Sequence, residues 1–249
     1  MPLDSTRRFS DRVENYVRHR PSYPAAMLDF LASDCGLIPG CRVADLGAGT
    51  GILSRLLCDR GAQVFAVEPN ADMAAACPAR RGLVLTHAPA EATGLPADSI
   101  DLVVAAQAFH WFDPGRARVE VDRILARGGS VALIWNNRSV DASAFLRGYE
   151  ALLLRYGTDY AQVSHRYGAE PSLRAFFGGS GWQHATFDNQ QVFDLAGLRG
   201  RLLSSSYTPP PEHPNHQPML DALDALFAAH VVDGAVAFEY RTEVYFRRW

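Results

Sequence analysis

The run Val43-Ala44-Asp45-Leu46-Gly47-Ala48-Gly49-Thr50-Gly51-Ile52-Leu53 limits the folds open to this chain more than any other stretch. An aliphatic, strand-forming segment meets three glycines at alternate positions, and a helical pattern starts directly after them. Glycine lets the backbone turn with positive φ and lets a ligand approach where a Cβ would stand. Strand, glycine turn and helix in that order make the carboxyl edge of an open α/β sheet, where nucleotide-like ligands bind. Spacing narrows the ligand. The dinucleotide fingerprint G-x-G-x-x-G needs glycine at the position of Ile52, so nicotinamide-dependent oxidoreduction is disfavoured.

Strand and helix patterns alternate through the first half of the chain. Strands are predicted at Arg42–Leu46, Gln63–Val67, Leu83–Thr86, Ile100–Ala105 and Ser130–Trp135. Between them, Asn70 and Asp113 are placed to cap helices, Asp113 with Pro114 as the first helical residue. The helix after Pro114 is expected to run to Leu125, with Arg127-Gly128-Gly129 as the turn into the fifth strand. Short strands separated by helices favour a parallel sheet with right-handed crossovers. Beyond Asn137 the alternation stops. Helices are expected at Ala144–Tyr156, Leu195–Leu203 and Met219–His230, and strands at His184–Phe193 and Val236–Phe246. Phe9, Val13, Tyr16 and Val17 suggest a further short helix near the start. The fold class is α/β: a doubly wound, mostly parallel seven-stranded sheet with a helical cap. A single domain over 1–249 is expected, its core at about 36–137 plus 181–193 and 235–249, its cap from 1–35, 138–180 and 194–234.

Composition removes several chemistries. All 24 cationic side chains are arginine, which rules out a lysine Schiff-base nucleophile and a phosphate loop ending in GK[ST]. A formal charge of -3 gives no sign of a polyanion-binding surface. Cys35, Cys41, Cys58 and Cys77 form no C-x-x-C pair and suggest neither a zinc site nor a disulfide framework. Glu212, His213 and His216 lack a fourth ligand, so no metal is expected and solvent exposure is. No apolar segment follows Arg7, Arg8 and Arg12, and no apolar run reaches the roughly 20 residues of a membrane span. A cytoplasmic protein without a membrane partner is expected.

Four features then fall in a telling order. Asp45 stands two residues before the first glycine of D-x-G-x-G-x-G; Glu68 ends the second strand in Val67-Glu68-Pro69-Asn70; Ala88-Pro89-Ala90-Glu91 follows the third; and Asp101 to Phe112 spans the fourth strand and its loop. This constellation resembles the class I S-adenosylmethionine-dependent methyltransferases with a Rossmann-like fold. It looks like their type 11 domain, in the group that includes trans-aconitate methyltransferase. The resemblance is firm over about residues 36 to 137. Weaker likeness to one subgroup extends to Tyr16, Arg20, Pro21, Tyr23 and Pro24, to Gly200–Tyr207, and to the ending Tyr240–Tyr245.

The resemblance implies S-adenosylmethionine as cofactor and S-adenosylhomocysteine as product. Gly47, Ala48, Gly49 and Gly51 would form the binding turn, supported by Asp45, and Glu68 with Pro69 would meet the ribose. Ala90 and Glu91 would lie near the adenine, Met73 would pack on it or join the core, and Gln107 would flank the methionine part. Arg20 is a candidate partner for the cofactor carboxylate, or a surface turn residue, with Tyr16 nearby. His110 is the candidate general base, or a structural histidine, and Trp111, Arg138 and Tyr207 are candidates for the acceptor side. A small-molecule acceptor is expected, methylated at a hydroxyl oxygen or a carboxylate, with no nucleic-acid partner and no oligomeric state specified. The alternatives are a nucleic-acid methyltransferase, since a fold does not fix its substrate, and a cofactor-binding protein without turnover.

Overall fold

A computed structural model describes residues 18–160, 170–179 and 181–249. Its frame is one seven-stranded sheet in the order β3-β2-β1-β4-β5-β7-β6. The strands are β1 (Arg42–Leu46), β2 (Gln63–Val67), β3 (Leu83–Thr86), β4 (Ile100–Ala106), β5 (Leu125–Arg138), β6 (Gln183–Phe193) and β7 (Val236–Arg248). Strands β1 to β5 pair in parallel. β7 runs antiparallel to both β5 and β6. The chain winds outward from β1 to β3 and then returns to place β4 on the other side of β1. That reversal opens a crevice at the carboxyl ends of β1 and β4.

Helices are α1 (Ala25–Asp34), α2 (Ile52–Asp59), α3 (Ala71–Ala75), α4 (Pro114–Ile124), α5 (Ala144–Tyr156), α6 (Glu170–Phe177), α7 (Leu195–Leu203) and α8 (His216–His230). Their ends follow local chemistry. The Asn70 side chain accepts from the backbone N–H groups of Asp72 and Met73, and Asp113 accepts from Arg116 with Pro114 in the first turn. Gly61, at φ 85°, turns the chain after α2.

The central strands are buried on both faces, and alternate side chains enter different cores. On one face Val103, Ala105, Val131, Leu133 and Trp135 pack with Phe109, Val121, Ile124 and Phe176. On the other, Leu102, Val104, Ala132 and Ile134 pack with Met27, Leu31, Leu53 and Leu57. A third cluster joins α5, α7 and α8 to the ends of β6 and β7 through Tyr149, Leu198, Met219, Leu223 and Phe238. Among the described residues no helix is long and apolar enough to cross a membrane.

The structure departs from the sequence pattern at several elements; α8, expected from Met219, starts at His216, and β5 runs past Trp135 to Arg138. α4 stops at Ile124, and Leu125 is already in β5, paired with Ile100. Arg127-Gly128-Gly129 is therefore not a turn between elements. It passes through an irregular stretch of the strand, where the pairing jumps to Leu102↔Ser130 and Gly128 takes φ 77°. β7 extends to Arg248 because β5 offers it a continuous partner as far as Ser130. α6 was not anticipated; it forms because Leu173, Phe176 and Phe177 complete the first core, while the Phe176 carbonyl accepts from Arg118 on α4. The helix expected around Phe9–Val17, with Tyr16, lies outside the described residues.

Trp135 is the largest of the fully buried side chains and meets Phe109 and Tyr245 edge-on at 6.2 and 5.7 Å. Trp135→Ala is expected to lower unfolding free energy by about 3–5 kcal/mol in urea denaturation, through lost burial and a residual cavity.

Candidate functional site

The glycine turn is built for close approach. Gly47, Gly49 and Gly51 all take positive φ, at 69°, 57° and 72°. A Cβ on Gly47 would stand 2.5 Å from the Ala108 Cβ, and one on Gly51 would stand 2.3 Å from the Cys77 sulfur. Beneath the turn, Asp45 is 1% exposed. Its Oδ2 accepts from the Ser54 hydroxyl at 2.6 Å, while Oδ1 has no hydrogen-bond partner. Burial pushes its carboxyl up to about 7, against the lowering effect of the Ser54 hydroxyl.

Glu68 ties this turn to the next one. Its Oε2 accepts from the Gly49 N–H and its Oε1 from the Asn70 N–H, both at 2.8 Å. Burial raises the Glu68 pKa, and those two N–H donors oppose the rise. A carboxylate oxygen has more than one lone-pair site, so both oxygens can still accept from a ligand hydroxyl. Across the crevice, Gln107 follows β4 with φ 57°, an uncommon conformation for a residue with a side chain. Its backbone N–H donates to the Ile134 carbonyl at 2.8 Å and its side-chain amide to the Asn136 carbonyl at 3.1 Å. These bonds hold the strained residue at the end of the sheet.

Two cavities adjoin here. The first is lined by Asp45, Gly47, Ala48, Gly49, Glu68, Pro69, Met73, Ala90, Glu91, Gln107 and Trp111, with Tyr23, Asn70 and Phe112 among others. The second, of about 390 Å³, is lined by Arg20, Asn136, Arg138, Glu150, Tyr160, Arg201, Tyr207 and Tyr240. Tyr23, Ile52 and Gln107 belong to both walls. Arg138 forms a short ion pair with Glu150 and also donates to the Tyr160 hydroxyl at 2.8 Å. Burial opposes ionisation of Tyr207, but the Arg201 and Arg138 guanidiniums outweigh it and hold the phenol below its usual pKa.

Comparison with known proteins agrees with this geometry. Residues 44–133 match the family described as a methyltransferase domain. A methyltransferase of Mycobacterium tuberculosis, itself uncharacterized, is 43% identical over 139 residues, covering 54% of this chain and 54% of that protein. A methyltransferase-like protein of Schizosaccharomyces pombe is 31% identical over 153 residues, covering 61% and 59%. A solved structure of a candidate type II methyltransferase from Anaeromyxobacter dehalogenans superposes with a TM-score of 0.65 at 22% identity, over 92% of this chain and 97% of that one. Residues 44–133 carry a methyltransferase domain. The cofactor of this domain class is S-adenosylmethionine. The match spans about half the length of the curated relatives, 54% for the mycobacterial one.

In the methyltransferase domain the residues singled out from sequence divide between the cavities. Asp45, Gly47, Ala48, Gly49, Glu68, Pro69, Met73, Ala90, Glu91 and Gln107 share the first. Gly51 does not line it; it serves instead as the left-handed residue from which α2 starts. The Glu91 carboxylate also anchors the Asp113 N–H at 2.8 Å. Arg20, expected beside the cofactor, stands on the second cavity, where it donates to the Ser204 carbonyl at 2.9 Å. Arg138 and Tyr207 are there too, whereas Trp111 faces the first cavity.

His110 lines neither cavity. The 3-10 turn Phe109–Trp111 sends consecutive side chains in different directions: Phe109 into the core, Trp111 to the cavity, and His110 against the Trp111 ring, with centroids 4.8 Å apart. Of the polar loop residues weighed as metal ligands, Glu212 is exposed, while His213 and His216 are half-buried and bond to the Asn215 N–H and the Pro209 carbonyl.

Arg201, Glu150, Tyr160 and Tyr240 were not foreseen, since they come from α7, α5, the segment after α5 and β7. Arg201 and Tyr240 lie in the segments of weaker family likeness, and Arg201 left a further trace in the sequence. It lies three residues after Leu198 and one before Leu202, on the apolar side of a helix, where a charge is out of place.

Gly47→Ala is expected to destabilise the domain by about 2–4 kcal/mol, since it combines an unfavourable positive φ with a collision against Ala108. Thermal unfolding of the variant beside the parent protein checks this.

Proposed function

We propose that this chain transfers the methyl group of S-adenosylmethionine to a small-molecule acceptor, at a hydroxyl oxygen or a carboxylate. One observation carries the reading: a glycine-turn cavity with two buried carboxylates adjoins a second, polar cavity through Tyr23, Ile52 and Gln107. The residues present fit the cofactor. Asp45 has an unpartnered buried oxygen, and a Cβ at Gly47 would crowd the turn. Met73 would pack beside Gly49, since its Cε lies 3.4 Å from where a Cβ would stand.

The cofactor supplies an activated methyl group on a sulfonium when bound. The protein's own work is then alignment and exclusion of water. Glu68 would accept from the ribose hydroxyls while it keeps the Gly49 and Asn70 N–H groups in place. Asp45 would face the ammonium group at the amino acid end of the cofactor. Gln107, held by its two bonds to β5, would fix the boundary between donor and acceptor. We read α5, α7 and α8 as a cap that closes the acceptor cavity. Among the described residues no histidine lines either cavity. A carboxylate acceptor, ionised at neutral pH, needs no base, which favours carboxyl methylation. Calorimetry with S-adenosylmethionine, S-adenosylhomocysteine and NADH tests the donor, and turnover on acids and phenols tests the acceptor. Binding of NADH alone would overturn the reading; cofactor binding without turnover would favour a binding protein, and salt-dependent RNA binding a nucleic-acid substrate.

Glu68→Ala is expected to weaken S-adenosylhomocysteine binding by about 1–3 kcal/mol through lost hydrogen bonds, read by the same titration. Asp45 sets a pH dependence. Its carboxyl, near 7 in the protein, is favoured in its charged form by a cationic ligand, so binding below pH 7 must expel a proton. Affinity is expected to rise between pH 6 and 8 by up to about tenfold and then level off. Asp45→Asn is expected to flatten the curve, and titrations in buffers of different ionisation enthalpy count the proton released.

A further inference from the structure

Among the described residues, the walls of the second cavity carry more positive than negative charge. Arg138 and Arg201 face it, and Glu150 is the one carboxylate among its described lining residues. That carboxylate is committed to Arg138 and to the Tyr160 hydroxyl. Arg201 is 5% exposed, and the hydrogen bonds it makes go to neutral oxygens. Its Nε donates to the Tyr240 hydroxyl at 3.0 Å, and its Nη1 to the hydroxyls of Ser205 at 3.0 Å and Ser204 at 3.5 Å. Its guanidinium also lies over the Phe238 ring, 5.6 Å from the centroid. No carboxylate of the described residues pairs with it. Arg138 adds an independent sign: its side chain is 9% exposed, and its Nε is buried without a hydrogen-bond partner.

A guanidinium cannot shed its proton to escape burial, as a lysine ammonium can. A buried charge is tolerable when a counter-charge completes it. Among the described residues no counter-charge meets Arg201 on the side that opens to the cavity, and that cavity meets the first one at Tyr23, Ile52 and Gln107. We propose that the acceptor carries an oxyanion, a carboxylate or a phosphate monoester, which seats on Arg201 with Arg138 beside it. The planar guanidinium fork suits either anion. This inference rests on the methyltransferase reading.

The test is calorimetry on the full chain saturated with S-adenosylhomocysteine, with phenylacetate, phenyl phosphate and the neutral phenylacetamide as probes. At least one anion is expected to bind about tenfold or more tighter than the amide. Preference for phenylacetate identifies a carboxylate site, and preference for phenyl phosphate a phosphate site. Arg201→Gln is expected to erase the preference while S-adenosylhomocysteine affinity stays within about twofold of the parent. The anion-against-amide comparison on the parent protein needs no substitution, so it decides the matter even if the variant fails to fold. Equal binding of all three probes, binding of none, or a preference that survives Arg201→Gln overturns the inference and leaves the cofactor reading intact. Failure of S-adenosylhomocysteine to bind the parent protein defeats the cofactor reading and this inference with it.

Discussion

A single carboxylate holds the working edge of this sheet together. Glu68 stands at the end of β2, yet its two oxygens reach the backbone of two different turns, at Gly49 after β1 and at Asn70 before α3. Burial makes the charge expensive and two N–H donors make it tolerable. The bonds are strong because the acceptor is charged. They also define where the glycine turn sits relative to the second strand, which local propensity leaves free. Asp45, Met73 and Gln107 line the same crevice as Glu68.

Much of this was legible in the sequence because its determinants are local. β1 to β4 are short, mostly aliphatic runs, and their predicted limits match the structure to within a residue. Asn70 and Asp113 cap the helices they were expected to cap. What escaped is governed by tertiary pairing. Gly128-Gly129 reads locally as a turn, but β4 supplies hydrogen-bonding partners on both sides of it, and the glycines become an irregularity in one long strand. α6 depends on a core whose other members lie far away in sequence. His110 was singled out by its distance from β4, but direction decides its environment, and a one-residue step along a 3-10 turn gave the cavity to Trp111 instead.

The second cavity shows the same limit more sharply. Its walls come from the segment around Arg20, from β5, α5, α7 and β7, so no window of sequence contains them. The two halves of the site differ in kind. The first cavity is lined by the loops that follow β1 to β4, with the glycine turn at its base. The other side is an assembly of long polar side chains that exists only once three helices and two strands have packed. Variation in those helices can alter the second cavity without disturbing the first, which is how one fold serves many chemistries.

The antiparallel pairing of β5 with β7 has a further bearing on this. It sets Arg138 directly opposite Tyr240, whose hydroxyl accepts from Arg201. Side chains along a strand alternate between faces, so a shift of β7 by one residue would replace Tyr240 with Glu239 or Arg241 and turn the phenol to the opposite side of the sheet. The electrostatic character of the cavity is thus stored as an alignment between two backbones, and the irregular stretch at Gly128 lies at the far end of the same strand that keeps it.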